Sequence, residues 1–186
     1  QYFAISISHK SNLSTICELR ICDFSGFKAQ IKGKLSAFKK APFYYETLSI
    51  LGKILSNEFK FLVDLNAHSL EVLSLEFDLQ TEFLWQKDIK IKHYELKHPG
   101  SWALEISKSL GALEYLNPVG GKHLFNDKEF LESGINLRFI TPRVARYYQG
   151  RKRFEPSLSV LDSILWNGVE GTEKIIKDEN SVEISL

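Results

Sequence analysis

The chain has 186 residues, 44% of them hydrophobic and 25% charged, with a formal net charge of +1. That suits one globular domain with a real core. It excludes a bulk polyelectrolyte binder, a membrane-spanning helix (no long apolar run) and a disulfide framework, since the only cysteines are Cys17 and Cys22.

"YFAISIS" (2–8) alternates and reads as a strand, and "TICELRI" (15–21) as its hairpin partner. That pairing would set Cys17 and Cys22 on opposite strand faces. "GFKAQIKGKLSAFKKA" shifts to helical spacing, with Phe27, Ile31, Leu35 and Phe38 in one stripe and its lysines mostly on the other face. Pro42 ends that helix or starts the next. "YYETLSILGKILS" gives a second amphipathic helix through Tyr44, Leu48, Leu51 and Leu55. "FLVDLNAHSLEVLSLEFDL" gives a third, with a broader apolar face that predicts deeper burial. "TEFLW" (81–85) reads as a strand and residues 86–98 as a loop.

"SWALEISKSLG" is a helix closed by Gly111, "ALEYL" (112–116) a short strand, and "NPVGGKHLF" a turn-rich loop. Asn126 caps the helix "DKEFLES", with Glu129 three residues on, and Gly134 ends it. "NLRFI" alternates as a strand, and "PSLSVLDSILW" is a helix stopped by Asn167-Gly168. Strands alternating with helices predict an α/β class: one layered domain over 1–186, a mixed sheet and flanking helices.

Three stretches carry candidate chemistry. The loop around Gly120, Gly121 and Lys122 joins a strand to a helix, a setting suited to phosphate, though its spacing is neither GxxxxGK[ST] nor GxGxxG. A plain strand-to-helix turn that needs glycine for its backbone geometry is the simpler reading. From Arg138 to Phe154 there are cations at Arg138, Arg143, Arg146, Arg151, Lys152 and Arg153 and no acid, interleaved with Tyr147, Tyr148 and Phe154. Arginine forks of this kind suit anionic small molecules, and the plain alternative is a solvated loop whose tyrosines pack on the body of the domain. The stretch is too short, in too neutral a chain, to predict nucleic-acid binding. Asp162 follows, close to the apolar stripe of Leu158 and Leu165. It is suited to acid–base work, to pairing with Arg146 or Arg151, or to capping a helix with Ser159. His9, His68, His93, His98 and His123 show no HExxH or i, i+4 pair, so no metal site is predicted, and no GxSxG appears.

Taken in order, "FKKAPFYYE" (38–46), "DLN" (64–66), "LGALEYLNPVGGKHLF" (110–125), "ESGINLRF" (132–139) and "YYQGRKRFEPSLSVLDSILWNGVEG" (147–171) resemble the WbqC-like family over most of the chain. Tyr148, Gln149, Phe154, Pro156, Leu158, Ser159, Leu161, Asp162, Asn167 and Gly168 fit its closing block. Asn117-Pro118 stands where Ser-Gly is usual, and Trp166 where Phe is common. The family's opening His-Gln-Pro strand, which holds its prime catalytic histidine candidate, has no counterpart here. The chain also has no methionine and begins at Gln1, so the expectation is an interior piece lacking its N-terminal segment.

The resemblance implies bacterial surface-polysaccharide biosynthesis, notably O-antigen, with an acyl or aminoacyl (glycyl) transferase role. With no signal-peptide pattern, the expected compartment is the reducing cytoplasm. The expected partner is a nucleotide-linked or lipid-linked sugar, without membrane insertion, and no cofactor is indicated. Arg146, Arg151 and Arg153 would meet phosphates. Gly120, Gly121 and Lys122 would line the same pocket, and Tyr115 and Gln149 would contact the sugar. Asp162 would clamp the basic loop. The alternative is a non-catalytic binding or scaffold protein of the same machinery.

Overall fold

The computed structural model describes residues 2–8, 11, 14–91, 98–151, 153–178 and 182–185. In chain order its elements are β1 (Ile7–Ser8), β2 (Arg20–Ile21), α1 (Phe24–Leu35), α2 (Tyr44–Ile54), α3 (Leu62–Glu76), α4 (Ser101–Ser109), β3 (Glu114–Pro118), α5 (Asp127–Glu132), β4 (Asn136–Pro142), α6 (Val160–Lys177) and β5 (Val182–Ser185). This is the mixed α/β composition that the alternating pattern predicts. The chain forms two compact units, Gln1–Thr81 with Arg146–Ile176, and Glu82–Ala145 with Lys177–Leu186.

The first unit is helical around one apolar core. The Asp23 carboxylate caps α1 by accepting from the Gly26 N–H at 2.7 Å. The stripe spaced by three and four then buries Ile31 and Leu35, and α2 adds Tyr44, Ile50, Leu51 and Ile54. α6 seals this core with Ile164 and Leu165, which are 0% and 3% exposed. α3 buries Leu65 and Val72 but leaves Leu70 and Leu75 at 55% and 81%, so its broad apolar face is less covered than the sequence predicts.

β1 and β2 do pair antiparallel, Ile7 opposite Ile21, but each is only two residues long. The expected strand over 15–21 opens instead with a 3-10 turn at Ile16–Glu18. The Glu18 carboxylate accepts from both the N–H and the hydroxyl of Thr15, at 2.8 and 3.1 Å. That local bonding outcompetes a strand ladder. Cys17 therefore sits in a turn, and both cysteines are exposed thiols.

In the second unit β3 runs parallel to β4, with Tyr115 opposite Leu137. β5 lies antiparallel on the far side of β4, giving a mixed sheet of order β3-β4-β5. The crossover is a 3-10 helix at Val119–Leu124 followed by α5. Leu104, Phe130, Ile135, Leu137 and Phe139 form the core. Gly111 and Gly134, at φ of +64° and +71°, close α4 and α5 in the left-handed conformation that helix ends favour. "TEFLW" forms no strand. Phe83, Leu84 and Trp85 are 39–52% exposed and lead into a 3-10 turn at Gln86–Asp88. Residues 92–97 of the expected loop lie outside the described residues.

Candidate functional site

The basic loop is braced from within. Gln149 is 4% exposed. Its amide nitrogen donates to the Glu155 carbonyl and its oxygen accepts from the Glu155 N–H, both at 2.8 Å. One buried side chain thus closes the loop as a strand partner would. Gly150, at φ +66°, presses its backbone onto Trp166: a Cβ there would fall 1.9 Å from the indole ring. Tyr148 meets the same indole edge-on at 5.6 Å. The Arg146 guanidinium lies 5.7 Å over Phe154, which meets Tyr147 edge-on.

Asp162 is half-buried at the third position of α6. Ser159 caps that helix, its hydroxyl oxygen accepting from the Leu161 N–H at 3.3 Å. The Asp162 carboxylate points toward the loop instead and accepts from the Tyr147 hydroxyl at 3.0 Å. Its hydrogen-bond partner is therefore a tyrosine rather than an arginine. Burial pushes the Asp162 carboxyl above its ordinary range, opposed by the Tyr147 hydroxyl, the charge of Arg151 and the Gln149 amide. Burial also raises Tyr147.

Arg146, Arg151 and Arg153 are exposed. None forms an ion pair among the described residues, although Arg151 acts through space on Asp162. The acid-free stretch divides between the units: Arg138 belongs to β4, where its Nε lies 2.7 Å from Glu114 Oε2, an ion pair by distance rather than an aligned hydrogen bond.

Behind the loop, α6 breaks at Gly168, whose φ of 71° and ψ of 179° lie outside the helical region. The Asn167 amide donates to the Ser163 carbonyl at 2.9 Å, and the Val169 N–H donates to Glu46 Oε1 at 3.1 Å. Ser163 and Thr172 join hydroxyls across the break at 2.9 Å. The Phe43 N–H donates to the Leu165 carbonyl at 3.2 Å. "APFYYE" and "LWNGVEG" are thus two halves of one joint. The sequence shows the first as a helix boundary at Pro42 and the second as a helix stop, without showing that they meet. A glutamate with no partner on its own helix was the available signal.

In the second unit the glycine loop is the 3-10 helix of the crossover. Gly121 packs so closely that a Cβ would lie 2.5 Å from Asn117 Nδ2, whereas Gly120 faces open space. Lys122 is exposed, its Nζ 5.0 Å over the Phe139 ring. Tyr115 is half-buried on Phe130 and donates its hydroxyl to Asn117 Oδ1 at 3.2 Å, and burial raises its pKa. His98 has both ring nitrogens engaged: Nε2 lies 2.9 Å from Glu129 Oε2, and Nδ1 3.2 Å from the Leu124 carbonyl. That makes it a tie between loop and helix. Among the described residues no three histidine, cysteine or acidic side chains gather as metal ligands. His9, His93 and Lys152 lie outside the described residues.

The structure therefore brings Arg146, Gln149, Arg151, Arg153 and Asp162 together in the first unit, and Tyr115, Gly120, Gly121 and Lys122 in the second. What these features define is an α/β protein that presents arginines on an internally braced loop against a jointed helix. The WbqC-like protein family matches residues 1–174, and the chain belongs to it. No curated protein and no solved structure matches.

Proposed function

We propose that this protein is a cytoplasmic transferase that adds an acyl or aminoacyl group, glycyl among them, to a sugar in bacterial surface-polysaccharide or O-antigen biosynthesis. The observation that supports it is the braced loop. Gln149 and Tyr147 brace the loop from inside, and among the described residues Arg146, Arg151 and Arg153 have no ion-pair partners at the surface. Preorganised cations of this kind suit the phosphates of a nucleotide-linked or lipid-linked sugar. The turn of Gly120, Gly121 and Lys122 beside Tyr115 is a second group of the same reading. Family membership supports the polysaccharide context. Among the described residues no helix is long and apolar enough to cross a membrane.

Two measurements test this. Calorimetric titration with a uridine diphosphate sugar should show binding by the parent, and at least tenfold weaker binding by an R146A/R151A/R153A variant with unchanged melting. Mass analysis of surface polysaccharide from a deletion strain should show one acyl or aminoacyl substituent missing. Equal binding by the triple variant, or unaltered polysaccharide, overturns the proposal. One observation favours a second reading, a non-catalytic binding or scaffold protein: no serine, cysteine or histidine lies in residues 146–156, and the Asp162 carboxylate is occupied by Tyr147. On that reading the polysaccharide of the deletion strain is reduced in amount with its substituents intact.

A further inference from the structure

In the first unit α1 and α2 leave a groove between them, about 240 Å³ in volume. Its floor is Ile31, Leu48, Leu51 and Leu55, and its rim carries Lys28 and Lys32. Among the described residues neither lysine has a carboxylate partner, and no acid lines the groove. The two stand four residues apart on α1, so they face the same way and repel each other. Lys28 is further held by its position 5.3 Å over the Phe24 ring. Gly52 supplies part of the opposite wall, and a Cβ added there would meet nothing within 4 Å. The groove is open because that helical position has no side chain.

We infer that this groove binds a free single-chain anionic amphiphile, a medium-chain fatty acid, with its tail on the leucine floor and its carboxylate between Lys28 and Lys32. The inference rests on the groove alone and stands apart from the proposed polysaccharide role. The volume falls below the roughly 300–1,000 Å³ typical of drug-sized clefts and is enough for one medium-length aliphatic chain. A carboxylate between the ammonium groups replaces their mutual repulsion with two charge-assisted contacts. Each methylene that the floor covers raises affinity about fourfold.

The test is titration of the full chain with decanoate, octanoate, hexanoate, decanol and acetate. Expected are one decanoate site, a gain of about fourfold per methylene that levels off once the floor is filled, and at least tenfold weaker binding of decanol and acetate. Gly52→Leu fills the groove and improves helix propensity. It should melt no lower than the parent and lose decanoate at least tenfold. A K28A/K32A variant should lose it to a similar degree, and that variant decides the matter if G52L does not fold. Decanoate binding untouched by either variant, decanol binding as well as decanoate, or uptake of many decanoates per chain overturns the inference.

Discussion

Gly168→Ala separates two descriptions of α6. If residues 160–177 formed one continuous helix, removing an interior glycine would stabilise the protein by about 0.5–1 kcal/mol. The backbone at Gly168 instead has φ 71° and ψ 179°, a region essentially restricted to glycine. Forcing alanine into it costs about 1–3 kcal/mol. A Cβ there also falls 2.8 Å from the Phe43 ring. The Phe43 backbone is held by its N–H bond to the Leu165 carbonyl, but the ring is 37% exposed and can turn aside, so the contact adds about 1 kcal/mol, the low end for overpacking. A central value of about 3 kcal/mol corresponds to a fall of roughly 6–12 °C in Tm for a chain of this size. Urea unfolding followed by circular dichroism gives the free energy, and a thermal melt gives Tm. A Gly168→Ala protein that melts at or above the parent refutes the joint and restores the continuous helix.

Glu46→Ala removes the acceptor of the Val169 N–H and should cost about 1–2 kcal/mol by urea titration, as loss of a helix cap does. Gln149→Ala strips both bonds from Glu155 and should cost about 2–3 kcal/mol while weakening sugar-nucleotide binding in parallel. Stability lost without affinity would show that the brace does not present the arginines. Trp166→Phe removes a buried indole N–H that has no acceptor among the described residues. Leaving such a group unpaired costs about 1–3 kcal/mol, so the variant should melt within a few degrees of the parent despite its smaller ring. The folded Asp162 carboxyl is held above its ordinary 3.8 by burial, so the folded state keeps that proton longer than the unfolded chain does. Its contribution is full below the unfolded pKa and is lost as pH rises through the folded one. Asp162→Asn should therefore gain stability relative to the parent from about pH 4 upward, and a constant difference across pH refutes this.

Elements set by local chemistry were legible in the sequence. Asn126 at a helix start and Gly111 and Gly134 at helix ends mark real boundaries, because caps and left-handed glycines act within a turn or two. "TEFLW" misled because β-prone aromatics need a partner strand, and no such partner is found among the described residues. β5 went unread because its pairing with β4 spans some forty residues of intervening chain. In the basic loop the residue types were legible and the partners were not. A tyrosine one position from an arginine competes for the same acid, and only the fold decides that Tyr147 reaches Asp162.

The order in which the chain visits its two units bears on synthesis and truncation. Each unit is assembled from two separated segments, so neither corresponds to a continuous stretch that a protease or a cloning boundary can release whole. While the protein is being made, β4 can pair with β3, but its other edge waits until Val182–Ser185 emerges. A gene fragment cut at residue 174, where the family match stops, would leave that strand edge unpaired for good. Exposed edges of this kind recruit other chains. Such a fragment should collect in inclusion bodies while the 186-residue chain stays in the supernatant.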